Sequence, residues 1–459
     1  MPLLYTLLCY AGILLLGLWW CGAFRSSPVP RNGRLLAVLG GFGIWLGIWS
    51  LSEPTVPLSD FNVAYYPAGR AVIEDLPHLF KRCWDTPVCG FVNIPIVALL
   101  FAPFSMLTLR HAQWLFVAIS LVGVVVTVLL LWSLTDRNPS RRWVILMLFV
   151  MNGPLVYSLK EGNLTHATLL VLVVGVVCLD RGWERSAGAC FALAAIIKLP
   201  LLLFALYFVG MRQWRVVFGY GVTLSTITGL SLWYAGWASH VSWYREVILP
   251  LSDKGLSAFN VQSIEGVLLR MQDDARLYEW TPTAVSPNIR MAGRISAAFL
   301  LGLSSLLLLR RPGTMHRDTM YLELSMVLCL ALLISPISWT HYYLLLLLPL
   351  SLYAGNRLTM PDRGGWLVAV MAATVLLAPP VRFTAGAVSN GLVETLLLSH
   401  YVMGALLLWG VLAYARWRVV EVQHLRLVAA KSVAVQDHLS PSVHEADVPV
   451  DAPDRKIAG

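Results

Sequence analysis

The sequence predicts an all-α, polytopic membrane protein of about 13 membrane-embedded helices, with further helices lying on the outer face of the bilayer. Three observations predict it. Of 459 residues, 58% are hydrophobic and only 13% are charged, about half the charge of a soluble domain. Apolar runs recur from Leu3 almost to Arg416, with the ~20 residues that a bilayer core of about 30 Å requires. The net charge of +9 is concentrated in short loops between those runs, the pattern of cytoplasmic loops and not of a nucleic-acid surface.

The elements follow from that charge rule. The first segment, Leu3–Phe24, has no basic n-region and exceeds a usual signal-peptide core, so it reads as a retained helix. Placing the arginine-rich loops inside assigns Arg25, Arg31 and Arg34 to the first, and Arg137, Arg141 and Arg142 to the second. Arg181 with Arg185, Arg212 with Arg215, then Arg310, Arg311 and Arg317, then Arg357 with Arg363, and the tail from Arg416, complete the set. Parity closes only under two assignments. Ile94–Leu107 is apolar but short and carries Pro95 and Pro103, so it is re-entrant and belongs to one external region, 53–112. Ala187–Gly210 must be two short helices meeting near Lys198 and Pro200, because a single span would invert every later loop.

The expected organisation is an additional helix and basic loop over 1–34, a catalytic membrane domain over 35–415, and a largely disordered cytoplasmic tail over 416–459. The second external region is 236–290. Gly43 and Gly47 form a GxxxG that serves packing within the chain as readily as dimerisation. Among the cysteines, Cys83 and Cys89 sit in a polar external loop, as a disulfide or as two free thiols. No spacing of His, Cys or acidic residues suggests a metal, and no cofactor is required.

The unusual polar residues all fall on the outer side. Taken singly, each has an ordinary explanation. Asp60 is a helix cap, Lys198 snorkels, Tyr65 and Tyr66 are interfacial aromatics, Arg70 is solvated, Asn163 caps a span, and His341 is structural. Their gathering on one face favours a shared site.

In chain order, the segments are Ser59-Asp60-Phe61 with Tyr65-Tyr66 and Arg70, Asn93-Ile94-Pro95, Phe101-Ala102-Pro103, and Glu161-Gly162-Asn163. Ala194 to Leu199, Gln262-Ser263, and Leu333 to His341 complete the series. In these the chain, over roughly 35–415, resembles the bacterial glycosyltransferase family 87 of the GT-C superfamily, typified by polyprenyl-phosphate-mannose-dependent α-mannosyltransferases. It departs from the family at Gly162-Asn163, where Gly-Gln is frequent, in one extra residue near Asn260, and in the first helix.

The resemblance implies a GT-C fold in a bacterial inner membrane, with transfer of a sugar from a polyprenyl-phosphate donor to a glycolipid or glycan on the extracytoplasmic face. Asp60 matches the family's proposed base. A charged leaving phosphate calls for cations, for which Lys198 and His341 are the first candidates and Arg70 the third. Tyr65, Tyr66 and Trp339 are candidates for stacking on sugar, and Asn163 and Gln262 for polar contacts with the donor. Partners are the lipid donor, the acceptor and membrane lipids, with no nucleic acid. A secondary transporter and a polysaccharide ligase or polymerase are the competing readings, though the two halves show no matching repeat.

Overall fold

The computed structural model describes residues 57–80, 90–135, 138–250, 254–272, 277–310, 317–358, 360, 364–378 and 391–439. The expected helix Leu3–Phe24, the loop with Arg25, Arg31 and Arg34, the Gly43–Gly47 pair and both Cys83 and Cys89 lie outside these residues, as do 440–459.

The chain is helical, as expected; among the described residues the β-structure is one short antiparallel pair, β1 (Lys254–Gly255) with β2 (Thr283–Ala284), and an isolated bridge. A π-helical turn, Phe61–Tyr65, leads into α1 (Tyr66–Glu74). The stretch expected to be re-entrant is two short helices, α2 (Pro95–Leu99) and α3 (Ala102–Ser105), each opened by a proline in its first turn. Then come α4 (Leu109–Leu134), α5 (Pro139–Val150), α6 (Gly153–Glu161), α7 (Thr165–Asp180) and α8 (Glu184–Ile197). A 3₁₀ turn, Leu199–Leu202, separates α8 from α9 (Leu203–Gly210), because Pro200 has no N–H to extend the helix.

The long α10 (Trp214–Trp243) kinks at Gly236, whose φ of 70° breaks the helix at the expected start of the second external region. There the small α11 (Ile264–Arg270) is capped by the Ser263 hydroxyl. Next are α12 (Pro287–Leu309), α13 (Arg317–Ile334), a 3₁₀ turn Thr340–Leu346 and α14 (Leu347–Ala354). Last come α15 (Gly364–Leu377), α16 (Gly391–Leu398) and α17 (His400–Leu439). Helix α17 runs on past Arg416 to Leu439, so the first half of the tail expected to be disordered is helical.

Among the described residues four helices, α4, α10 with its π-helical extension, α12 and α17, are long and apolar enough to cross a membrane alone, and the bent pair α5–α6 makes a fifth if it is one span. The other apolar helices are shorter, so a count of thirteen crossings does not follow from length. What does follow is the grouping of the ends. Asp180 at the end of α7 accepts from Arg357 at 2.9 Å and lies 3.9 Å from Arg317. Arg357 also donates to the Leu134 carbonyl at 2.6 Å, and Arg141 to that of Ala354 at 3.3 Å.

The pair α8–α9 belongs to the same pattern. A Cβ on Gly188 would meet the backbone of Val216 and Tyr220, and one on Gly219 the backbone of Arg185. Only glycines allow this approach, which sets the starts of α8 and α10 side by side, with Arg215 and Glu184 3.7 Å apart. The chain therefore runs up α8, turns at Lys198 and returns through α9. Between the two ends, Arg416 of α17 and Glu323 of α13 form a fully buried ion pair at 2.6 Å. Tyr207 of α9 donates to the same carboxylate at 2.8 Å.

Candidate active site

The site forms at the end of the bundle away from the arginine loops, and its first component is a turn. Helix α6 ends at Gly162, which takes φ 73°, a left-handed conformation natural to glycine. A Cβ there would also lie 2.8 Å from Cβ of Phe61. The absence of that atom lets segment 58–61 settle on turn 160–163. The Leu58 N–H donates to the Lys160 carbonyl at 2.6 Å, and the Ser59 hydroxyl donates to the Glu161 carboxylate. Leu58 itself carries φ 61°, a conformation non-glycine residues rarely take.

This docking sets Asp60 against Asn163. Asp60 forms no capping hydrogen bond to its helix, which removes the ordinary explanation for it. Its residue surface is partly open, yet the carboxyl is densely surrounded, and burial raises its pKa from 3.8 to about 6. Lys198 and the Asn163 side chain oppose that rise. Asn163 does serve as a cap: its Oδ1 accepts from the Thr165 N–H and the Ser158 hydroxyl, both at 2.9 Å. Its Nδ2 is buried and makes no hydrogen bond.

Lys198 is the second component. It occupies the break after α8 in extended conformation (φ −133°, ψ 94°), and its side chain is buried. Its Nζ lies 4.1 Å from the Tyr342 ring centroid, a cation–π contact, within electrostatic reach of Asp60. Asn93, from the segment before α2, donates to the Ile197 carbonyl at 2.8 Å and so ties the external region to this break.

His341 is the third. Its buried ring stacks on Tyr157, 6.3 Å between centroids, and its Nδ1 has no partner. The loop before it is held by backbone: the Thr340 N–H donates to the Asn260 carbonyl at 2.8 Å, and Trp339 bridges to Val261.

Asp60, Asn163, Lys198 and His341 thus converge, with Tyr65 beside Asp60 and stacked on Phe101 at 4.6 Å. The other expected residues have different employment. Arg70 is exposed and paired with Glu74 at 2.8 Å, and Tyr66 donates to the Leu107 carbonyl at 2.8 Å. Gln262 is a buried strut whose Nε2 donates to the carbonyls of Phe259 and Leu398. Trp339 is half-buried in the loop that carries His341. Sequence reasoning missed Tyr342, Tyr157, His166, Ser158 and the role of Asn93. The positions of His166, three residues beyond Asn163, and of Tyr342, adjacent to His341, were the available signals. Among the described residues no group of three His, Cys, Asp or Glu is arranged to hold a metal.

A partly exposed carboxyl of raised proton affinity, within electrostatic reach of a buried lysine, can take a proton from a hydroxyl while a cation stabilises a departing anion. The fold is that of a helical membrane protein, with a carboxyl and a buried lysine gathered at one end of its bundle. The sequence profile of glycosyltransferase family 87 matches residues 91–336, more than half of the chain, and the chain belongs to that family. Along 94% of its length it is 25% identical to a polyprenol-phosphate-mannose-dependent alpha-(1-2)-phosphatidylinositol mannoside mannosyltransferase of Mycolicibacterium smegmatis, covering 96% of that protein. A protein of the same name from Mycobacterium tuberculosis is 24% identical over 71% of this chain and 78% of its own.

Proposed function

We propose that the protein transfers a sugar, mannose by analogy with its relatives, from a polyprenyl-phosphate donor to a glycolipid hydroxyl on the extracytoplasmic face of a bacterial inner membrane. The observation that carries this reading is the placing of Asp60 within electrostatic reach of the buried Lys198, at the end opposite the arginine loops. That end faces outward if the arginines face the cytoplasm.

In the proposed step the acceptor oxygen attacks the anomeric carbon and its proton passes to Asp60. The bond from that carbon to the phosphate oxygen breaks, and the electron pair leaves with the phosphate. Lys198, with His341, meets the developing charge. A single displacement of this kind inverts the anomeric carbon, so a β-linked donor would yield an α-linked product. The names of both relatives describe a phosphatidylinositol mannoside acceptor and an alpha-(1-2) linkage, which supports a glycolipid acceptor here.

The test is transfer from radiolabelled polyprenyl-phosphate-mannose by purified protein, native against Asp60→Asn. Loss of a base contributes about 10²–10⁴-fold, so kcat should fall by that factor while donor binding persists. A mutant turning over at the native rate would remove Asp60 from the mechanism. A product of retained configuration would rule out single displacement.

A further inference from the structure

Residues 258–262 form an irregular strap ahead of α11, with Ala258, Asn260, Val261 and Gln262 buried, so their carbonyls need donors from the protein. The Asn260 carbonyl accepts from the Thr340 N–H at 2.8 Å, and that of Gln262 from the Tyr343 hydroxyl at 2.6 Å. The Phe259 carbonyl accepts from the Gln262 side chain at 2.8 Å. Those of Ala258 and Val261 are both met by one nitrogen, Nη1 of Arg270, at 3.1 and 2.7 Å. Arg270 is the last residue of α11 and is only 4% exposed.

The loop that carries His341 leans on this strap. Beside the Val261–Trp339 bridge, the Gln262 N–H donates to the Ser338 carbonyl at 2.5 Å, which with the Thr340 bond makes a short antiparallel ladder. Ser338 is also held from the end of α13, its hydroxyl donating to the Leu332 carbonyl at 2.6 Å. Trp339 and Thr340, nearer to His341, find their ladder partners on the strap. Two side chains tie the strap in turn to the α16–α17 junction. Arg270 Nη2 donates to the Ser399 hydroxyl at 2.9 Å, and Gln262 Nε2 to the Leu398 carbonyl at 2.6 Å. The Thr395 hydroxyl donates to the Arg270 carbonyl at 3.0 Å, which fixes the end of α11 on the same junction.

We propose that Arg270, with Gln262, is a positioning residue: a clamp that holds the strap to the start of α17 and thereby sets where the 338–341 loop presents His341. A guanidinium suits this place, because its planar fork donates in two directions at once, to backbone carbonyls and to Ser399. Without it the Val261 carbonyl loses its donor, and the strap has to shift to find another. The functional part of the inference rests on the reading of His341 as a partner of the departing phosphate; the clamp itself does not.

The experiment measures amide hydrogen exchange along the full chain in lipid nanodiscs, together with transfer from polyprenyl-phosphate-mannose. Arg270→Met keeps much of the side-chain bulk and removes its donors. Amides of 338–343 should exchange about tenfold faster or more, while those of α7 and α8 keep native protection. The value of kcat should fall by up to about 100-fold, with KM for the donor little changed. In a His341→Gln background the same substitution should add little further loss. A folded Arg270→Met protein with native exchange over 338–343 overturns the proposal. Should that variant not fold, native exchange in Ser399→Ala, which cuts the clamp at its anchor, overturns it instead. Losses that simply multiply in the double variant would overturn the action through His341. Faster exchange with native kcat in both Arg270→Met and His341→Gln would keep the clamp and reject His341 as the phosphate's partner.

Discussion

Asp60 gains proton affinity from burial and loses part of that gain to Lys198 and Asn163, and for the base proposed above this balance sets the working pH range. A base must be ionised, and its raised value of about 6 exceeds the ordinary carboxylate value. Transfer should therefore be fully active above that value and fall as pH drops through it, about tenfold per unit well below it. A pH–rate profile of kcat/KM checks this. An acid limb near 4 would mean that the carboxyl is solvated as in a free side chain. The residues that carry this balance were unequally legible. Asp60, Lys198 and His341 stand out because ionisable groups among apolar runs are costly and need a reason. Ser158 and Tyr342 are unremarkable in a sequence, since their role exists only where two turns meet. Arg70 and Gln262 were polar and suitably placed along the chain, yet a neighbouring Glu74 and two backbone carbonyls already occupy them.

At the scale of elements, breaks matter more than helices. Pro200, Gly236 and the prolines of the re-entrant stretch are punctuation a sequence displays openly, and each corresponds to a break, kink or helix start in the structure. The docking of one break on another was not legible, because it depends on a missing Cβ at Gly162. Gly162→Ala would force a left-handed alanine, costing about 1 kcal/mol, and would press its methyl on Phe61 and Leu58. Segment 58–61 would have to shift by a few tenths of an ångström or more, carrying Asp60 with it. Misplacement of about 1 Å is worth on the order of 100-fold, so kcat should drop toward that extent while the protein stays folded. Kinetics together with a thermal melt would check it. Native kcat would mean that the turn adapts without moving the base.

Across the whole molecule, the arginine ends and the acid–base end are separated by the length of the bundle, and charge patterning made that polarity readable before any coordinates. The buried pair of Arg416 and Glu323 was not readable, since partners 93 residues apart in sequence follow from packing alone. Arg416→Met should destabilise the fold by about 3–5 kcal/mol, because it leaves Glu323 a buried charge without its counter-ion. The double variant Glu323→Leu, Arg416→Met should recover most of that loss. Melting of both proteins in detergent measures it, and a double variant no better than the single would assign the loss to packing around Arg416. The same pair bears on biosynthesis. Helix α17 is made long after α13, so while the chain is being inserted Glu323 has no cation to meet it. Helix α17 is thus a delayed counter-ion for α13, and a chain cut short before Arg416 would have to keep Glu323 neutral by holding a proton on it.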